Sequence, residues 1–121
     1  MDYRRASRRT ENRVAKKLRG KRVPLSGGGE GFKGDVLTEE FLVECKNSFR
    51  VDAKGEKTFE LKKDFLEKAA KEAKLMGKPY WCLYVHYAGD KQDYVVLPAD
   101  LLFELVRQYR AYREQAEAQG A

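Results

Sequence analysis

One histidine, two cysteines and three prolines are all that a chain of 121 residues holds of those types. The single histidine, His86, excludes zinc sites built on several histidines and speaks against a serine–histidine triad. The two cysteines, Cys45 and Cys82, make no CxxC pair and no disulfide framework. Each sits in an apolar run, where a small buried thiol is the ordinary role. A reducing compartment, the cytoplasm, is therefore expected. No apolar run approaches the roughly 20 residues that cross a bilayer, so no membrane is expected as a partner. The opening MDYRRASRRTENR carries no apolar stretch behind its charges and does not read as a secretory signal.

What the chain does have is apolar matter and charge. Hydrophobic residues make up 42% and aromatics 12%, enough to build a core. The length fits one domain, residues 1–121. Lys and Arg number 25 against 19 Asp and Glu, a formal charge of +6. The excess is local: residues 1–22 hold ten basic and two acidic side chains, and the other 99 residues hold fifteen and seventeen. A basic segment on a slightly acidic body points to a polyanion, most simply nucleic acid. Residues 1–9 read as a basic, mobile arm, with Arg4, Arg5, Arg8 and Arg9 as phosphate contacts. Lys16, further along, and Lys33, near the candidate site described next, join them.

Residues 10–19 read as a short helix, with Val14 and Leu18 four apart and Gly20 as its stop. Glu11 shares that apolar face, which is costly for a carboxylate unless something pairs with it. Residues 23–33 form a glycine-rich loop without a phosphate-binding signature. Residues 34–37 and 40–46 read as two strands joined by a tight turn at Thr38 and Glu39. In the second, alternation puts Phe41, Val43 and Cys45 on one face and Leu42, Glu44 and Lys46 on the other. Residues 47–57 read as a polar loop or hairpin tip. Residues 58–76 read as a helix with a stripe of Leu61, Phe65, Ala69, Ala73 and Met76, stopped by Gly77 and Pro79. Residues 80–87 and 94–97 read as paired strands, and a final helix over 99–121 ends in a frayed tail. Its side with Leu102, Leu105, Val106, Tyr109 and Tyr112 packs on the core or on a partner. The order predicts an α/β domain with a central mixed sheet flanked by helices.

Three acids and one lysine stand out: Glu11, Asp35, Glu44 and Lys46. If the two strands pair, Asp35 and Glu44 approach each other, and two facing carboxylates repel unless a cation lies between them. Oxygen donors suit Mg²⁺ or Mn²⁺, with the backbone carbonyl of Cys45 as a further ligand and Glu11 entering from the first helix. Such a centre suits phosphodiester hydrolysis, with the Lys46 ammonium beside the attacking water.

Glu11, then PLSGG (24–28), GD (34–35) and VECK (43–46), resembles the PD-(D/E)XK nuclease superfamily, and within it the archaeal-type Holliday junction resolvases and their phage-encoded relatives. The resemblance runs over residues 8–85. It implies a restriction-endonuclease-like core, Asp35 and Glu44 as metal ligands, Glu11 as the first-helix acid and Lys46 as the catalytic lysine. It also implies that Ser26 acts near the scissile phosphate from the loop. The family's dipeptide is Gly34-Asp35 here, and only the aspartate is a ligand. By the same resemblance the protein works as a Mg²⁺-dependent homodimer, without a small-molecule cofactor, cutting branched DNA at a four-way junction. A phage-encoded relative would act in the host cytoplasm. Two other readings stand beside this one: the same nuclease core acting on flaps, nicks or defined sites, and a non-catalytic nucleic-acid-binding module.

Overall fold

The computed structural model describes residues 2–23 and 35–120. Ten elements follow one another: α1 (Tyr3–Leu18), β1 (Lys21–Arg22), β2 (Val36–Leu37), β3 (Phe41–Ser48), β4 (Arg50–Val51), β5 (Lys57–Thr58), α2 (Lys63–Leu75), β6 (Tyr80–Tyr87), β7 (Tyr94–Val96) and α3 (Ala99–Gly120). Five strands form one sheet in the order β1-β2-β3-β6-β7, and β4 and β5 make a separate hairpin. The central pair, β3 with β6, is parallel and in register from Phe41–Tyr80 to Ser48–Tyr87, while the other neighbours are antiparallel. A parallel pair needs a crossover, and α2 supplies it.

Alternation along β3 divides the interior in two. Val43 joins Val14 and Ala15 of α1, Val36 of β2 and Cys82 of β6, with Phe41, Cys45, Tyr84 and Leu97 packed around them. On the other face, Leu42 and Leu83 are wholly buried. There α2 packs on β3 and β6 with Ala69 and Ala73 buried. Two alanines one turn apart let the helix lie close to the strands. Burying each leucine contributes roughly 1.5–3 kcal/mol.

Four sequence expectations need correction. Residues 3–9 of the basic segment belong to the first helix: α1 starts at Tyr3, seven residues before the expected Thr10. Asp2 is its N-cap and accepts the Arg5 N–H at 3.0 Å. Ser7, Thr10 and Val14 lie at helical spacing, so the stripe that faces the sheet continues upstream in polar guise. The long helix begins at Lys63 and not at Thr58, because Lys57 and Thr58 pair with Val51 and Arg50. The Ser48 hydroxyl also donates to the Thr58 carbonyl. Leu61 is therefore outside the helix and exposed. The expected frayed tail is helical through Gly120, and Leu101 is the one buried residue of α3. Leu102, Leu105, Val106, Tyr109 and Tyr112 are all exposed, so among the described residues that side does not pack on the core.

The stop of α1 differs in detail from expectation. Arg19, not Gly20, takes the left-handed conformation, at φ 55°. Gly20 is needed for proximity: a Cβ there would lie 2.5 Å from the Leu37 carbonyl oxygen and 2.9 Å from the Thr38 methyl. The helix is thereby held against β2.

Candidate functional site

The turn between β2 and β3 is built by Thr38. Its hydroxyl accepts the N–H groups of Glu40 at 3.1 Å and Phe41 at 2.8 Å, and the Thr38 N–H returns to the Phe41 carbonyl at 2.9 Å. This fixes the register, with Val36 opposite Val43 and Leu37 opposite Leu42. One step further, Asp35 stands opposite Glu44. The Asp35 N–H donates to the Val43 carbonyl at 3.0 Å, and its Oδ2 accepts the Cys45 N–H at 2.7 Å. The carboxylate is thus pinned at the edge of β3, between the two faces of the sheet.

Glu11 approaches from the α1 side. It is 9% exposed, and among the described residues Arg22 is its ion-pair partner, at 3.9 Å. Burial, reinforced by the negative charge of Asp35, raises its pKa from 4.5 to about 7, with Arg22 and Arg8 opposing. Glu44 approaches from the α2 side. Burial and then Asp35 push its pKa to about 8, with Lys46 opposing. Asp35 therefore acts on both acids, one from each face. Lys46 continues the face of Glu44, and its ammonium lies 4.2 Å from the Phe65 ring centroid, a cation–π contact. The Cys45 side chain points into the α1 face among Asp35, Glu11 and Cys82. Its thiol is pushed far above its ordinary range by burial and these acids, so it is a core group rather than a nucleophile.

Sequence reasoning missed a further acid. Glu72 of α2 is buried, one of its oxygens has no hydrogen-bond partner among the described residues, and its carboxyl lies close enough to Glu44 to help raise that group's pKa. The signal was present: Phe65, Ala69, Glu72 and Met76 share one helical stripe, with the glutamate inside it, the same pattern that singled out Glu11. Glu11, Asp35, Glu44 and Glu72 form a run of like charges across the sheet that a hard cation would relieve. The donor chemistry fits Mg²⁺ or Mn²⁺. Among the described residues, however, no group of three or more His, Cys, Asp or Glu converges as a formed metal cage. Ser26 and Lys33 lie outside the described residues.

The basic residues divide between two flanks of α1. Arg8 faces the Glu11 side, with Arg4 one turn before it. Arg5, Arg9 and Arg13, each one turn apart, line a groove of about 450 Å³ at the ends of β3 and β6. Lys16 is exposed near the end of α1. Sequence reasoning also missed Asp93. It accepts Arg13 at 2.8 Å and Tyr84 at 2.5 Å on one oxygen, and holds His86 Nδ1 at 2.6 Å on the other. The β6–β7 register explains it: with Val85 opposite Tyr94, Asp93 follows opposite His86.

Among the described residues no helix is long and apolar enough to cross a membrane. Comparison of the chain with protein-family models, with curated proteins and with solved structures finds no match.

Proposed function

We propose that the protein is a Mg²⁺-dependent endodeoxyribonuclease of the PD-(D/E)XK type, acting on branched DNA as a Holliday junction resolvase. The observation that carries this reading is Asp35, pinned by the Cys45 N–H and acting electrostatically on Glu11 and Glu44 from opposite faces of the sheet. The order α1-β1-β2-β3-α2-β6, with an antiparallel β2–β3 pair and a parallel β3–β6 pair, supports a restriction-endonuclease-like core. Asp35, Glu44 and the Cys45 carbonyl would hold the metal, with Glu11 beyond them. When bound, the metal supplies charge neutralisation at the phosphate and lowers the pKa of a water. Lys46 holds its ammonium beside Glu44, where it neutralises developing charge and orients that water. The arginines of α1 bind phosphates without choosing sequence. Ser26 and Lys33 belong to this proposal through the resemblance alone.

Paired nicks in opposite strands need two sites related by a two-fold axis, hence a homodimer. The exposed side of α3, with Leu102, Phe103, Val106, Tyr109 and Tyr112, supports a self-associating surface. Two free cysteines support a reducing compartment such as the cytoplasm. A labelled four-way junction, tested beside linear duplex, flap and single-stranded DNA with Mg²⁺ or EDTA, decides between the readings. Symmetric paired nicks in the junction alone, lost in EDTA, establish the resolvase. Metal-dependent cutting of the other substrates keeps the nuclease and removes the junction. Tight binding without cutting under any divalent metal leaves a nucleic-acid-binding module.

A further inference from the structure

A second cleft of about 450 Å³ lies on the other side of the β3 C-terminus, lined by Lys46, Arg50, Lys62, Phe59, Phe65 and Glu60. It shares Asn47 and Phe49 with the Arg5–Arg9–Arg13 groove, so the two are neighbours around one corner of the molecule. Tyr3 stands at that corner. Its ring packs edge-on against Phe49, with centroids 4.6 Å apart at 64°, yet the residue remains 58% exposed. An aromatic ring fixed by a second ring and open to solvent, with cations on either side, is the arrangement that receives a base between two phosphates.

The charges agree with that ligand. No carboxylate among the described residues pairs with the side chains of Arg5 or Arg9. One helical turn separates them, about 6 Å along the axis, a spacing comparable with successive phosphates of one strand. The acids present are engaged: Asp2 accepts the Arg5 backbone N–H, Glu60 pairs with Arg50 at 3.2 Å, and Asp93 holds Arg13 and His86. A duplex keeps its base faces stacked inside and has nothing to offer Tyr3; an unpaired strand does.

We propose that the two clefts form one bent track for a single unpaired nucleic-acid strand. Phosphates lie on Arg5 and Arg9 in one arm and on Lys46 and Lys62 in the other, and one base stacks on Tyr3 at the bend. The inference rests on the nuclease reading only in taking DNA as the nucleic acid. It deepens that reading by leading an unpaired strand, as found where a duplex branches, directly to Lys46.

Binding measured in EDTA separates the two ideas. Fluorescence anisotropy would compare a labelled single strand with a duplex of the same sequence, for the wild type, Tyr3→Ala, Tyr3→Phe and the double variant Arg5→Ala/Arg9→Ala. Tyr3→Ala should weaken single-strand binding by about tenfold, with duplex binding changed less than twofold and Tyr3→Phe close to wild type. The arginine double variant should lower the salt slope for single strands by about 1.4. A 2-aminopurine base in the strand should be quenched by the wild type and not by Tyr3→Ala. Unchanged single-strand affinity in Tyr3→Ala, equal losses for strand and duplex, or no binding of either DNA would each overturn the track. A protein that cuts junctions while Tyr3→Ala binds normally refutes the track and keeps the enzyme. One that cuts nothing while Tyr3→Ala loses single strands upholds the track and refutes the enzyme.

Discussion

Replacing Glu44 by glutamine removes one ionisable group from the run of carboxylates and changes little in shape. In the folded protein without metal, Glu44 holds its proton up to about pH 8, whereas the unfolded chain releases it near 4.5. Between those values the native state binds more protons than the unfolded state, so stability falls as pH rises. One such proton gives a slope of about 1.4 kcal/mol per pH unit. Glu44 is only partly withdrawn from water, so screening lowers its folded-state value and shortens this window, leaving an average of about 1 kcal/mol per unit between pH 6 and 8. From pH 6 to 8 the wild type should lose about 2 kcal/mol, on the order of 8 °C in Tm for a domain of this size. Glu11 adds a similar fall that ends near pH 7, where its own raised value lies. That part persists in the variant. Thermal melts of both proteins in EDTA from pH 5 to 9 should show the variant's advantage growing up to about pH 8 and flat beyond it. Mg²⁺ at pH 8 should raise the wild-type Tm and leave the variant nearly unmoved. A difference in Tm that is constant across the whole range, or equal stabilisation of both by Mg²⁺, would refute the account of the carboxylate run.

Two further outcomes follow from the packing. Gly20→Ala puts a Cβ against the Leu37 carbonyl, and backbone rather than a flexible side chain must move. Denaturant unfolding should show a loss of about 1–3 kcal/mol, and a neutral substitution would mean that α1 is not held against β2. Asp93→Asn should cost roughly 1–3 kcal/mol by weakening the bonds from Tyr84, His86 and Arg13. Burial would raise the Asp93 pKa, but those three bonds outweigh it and hold the carboxyl below its ordinary 3.8. Its contribution is therefore present above that value and is lost as the pH falls through the lowered one. The gap in stability between the two proteins should be steady from pH 6 to 8 and shrink under strong acid. A gap that widens in acid would contradict the sign.

The parts of the fold legible in the sequence were those fixed by short-range pattern. The turn at Thr38, the face shared by Glu44 and Lys46, and the stop at Gly77 and Pro79 follow from spacing and turn chemistry alone. The first two turns of α1 were hidden because Ser7 and Thr10 occupy the stripe where apolar residues were sought. Thr10 lies against the sheet because Asn47, 37 residues away, accepts its hydroxyl at 2.8 Å. The start of α2 was hidden because the pairing of Thr58 with Arg50 takes those residues out of the helix. Asp93 was invisible for a similar reason, since only the β6–β7 register puts it opposite His86. Glu72 was legible by the argument already applied to Glu11, and its place among Ala69 and Ala73 was the sign.

The parallel β3–β6 pair also orders events in time. Phe41 and Tyr80 are 39 residues apart, so the pair closes a long loop and is expected to form later than contacts between neighbours. The β2–β3 turn needs only neighbours and can form within microseconds. Asp35 and Glu44 are therefore expected to meet early, on one local piece of chain, with Glu72 joining when the crossover closes. Substitutions at Thr38 should slow folding, and substitutions at Ala69 or Ala73, which seat α2 on the strands, should chiefly quicken unfolding.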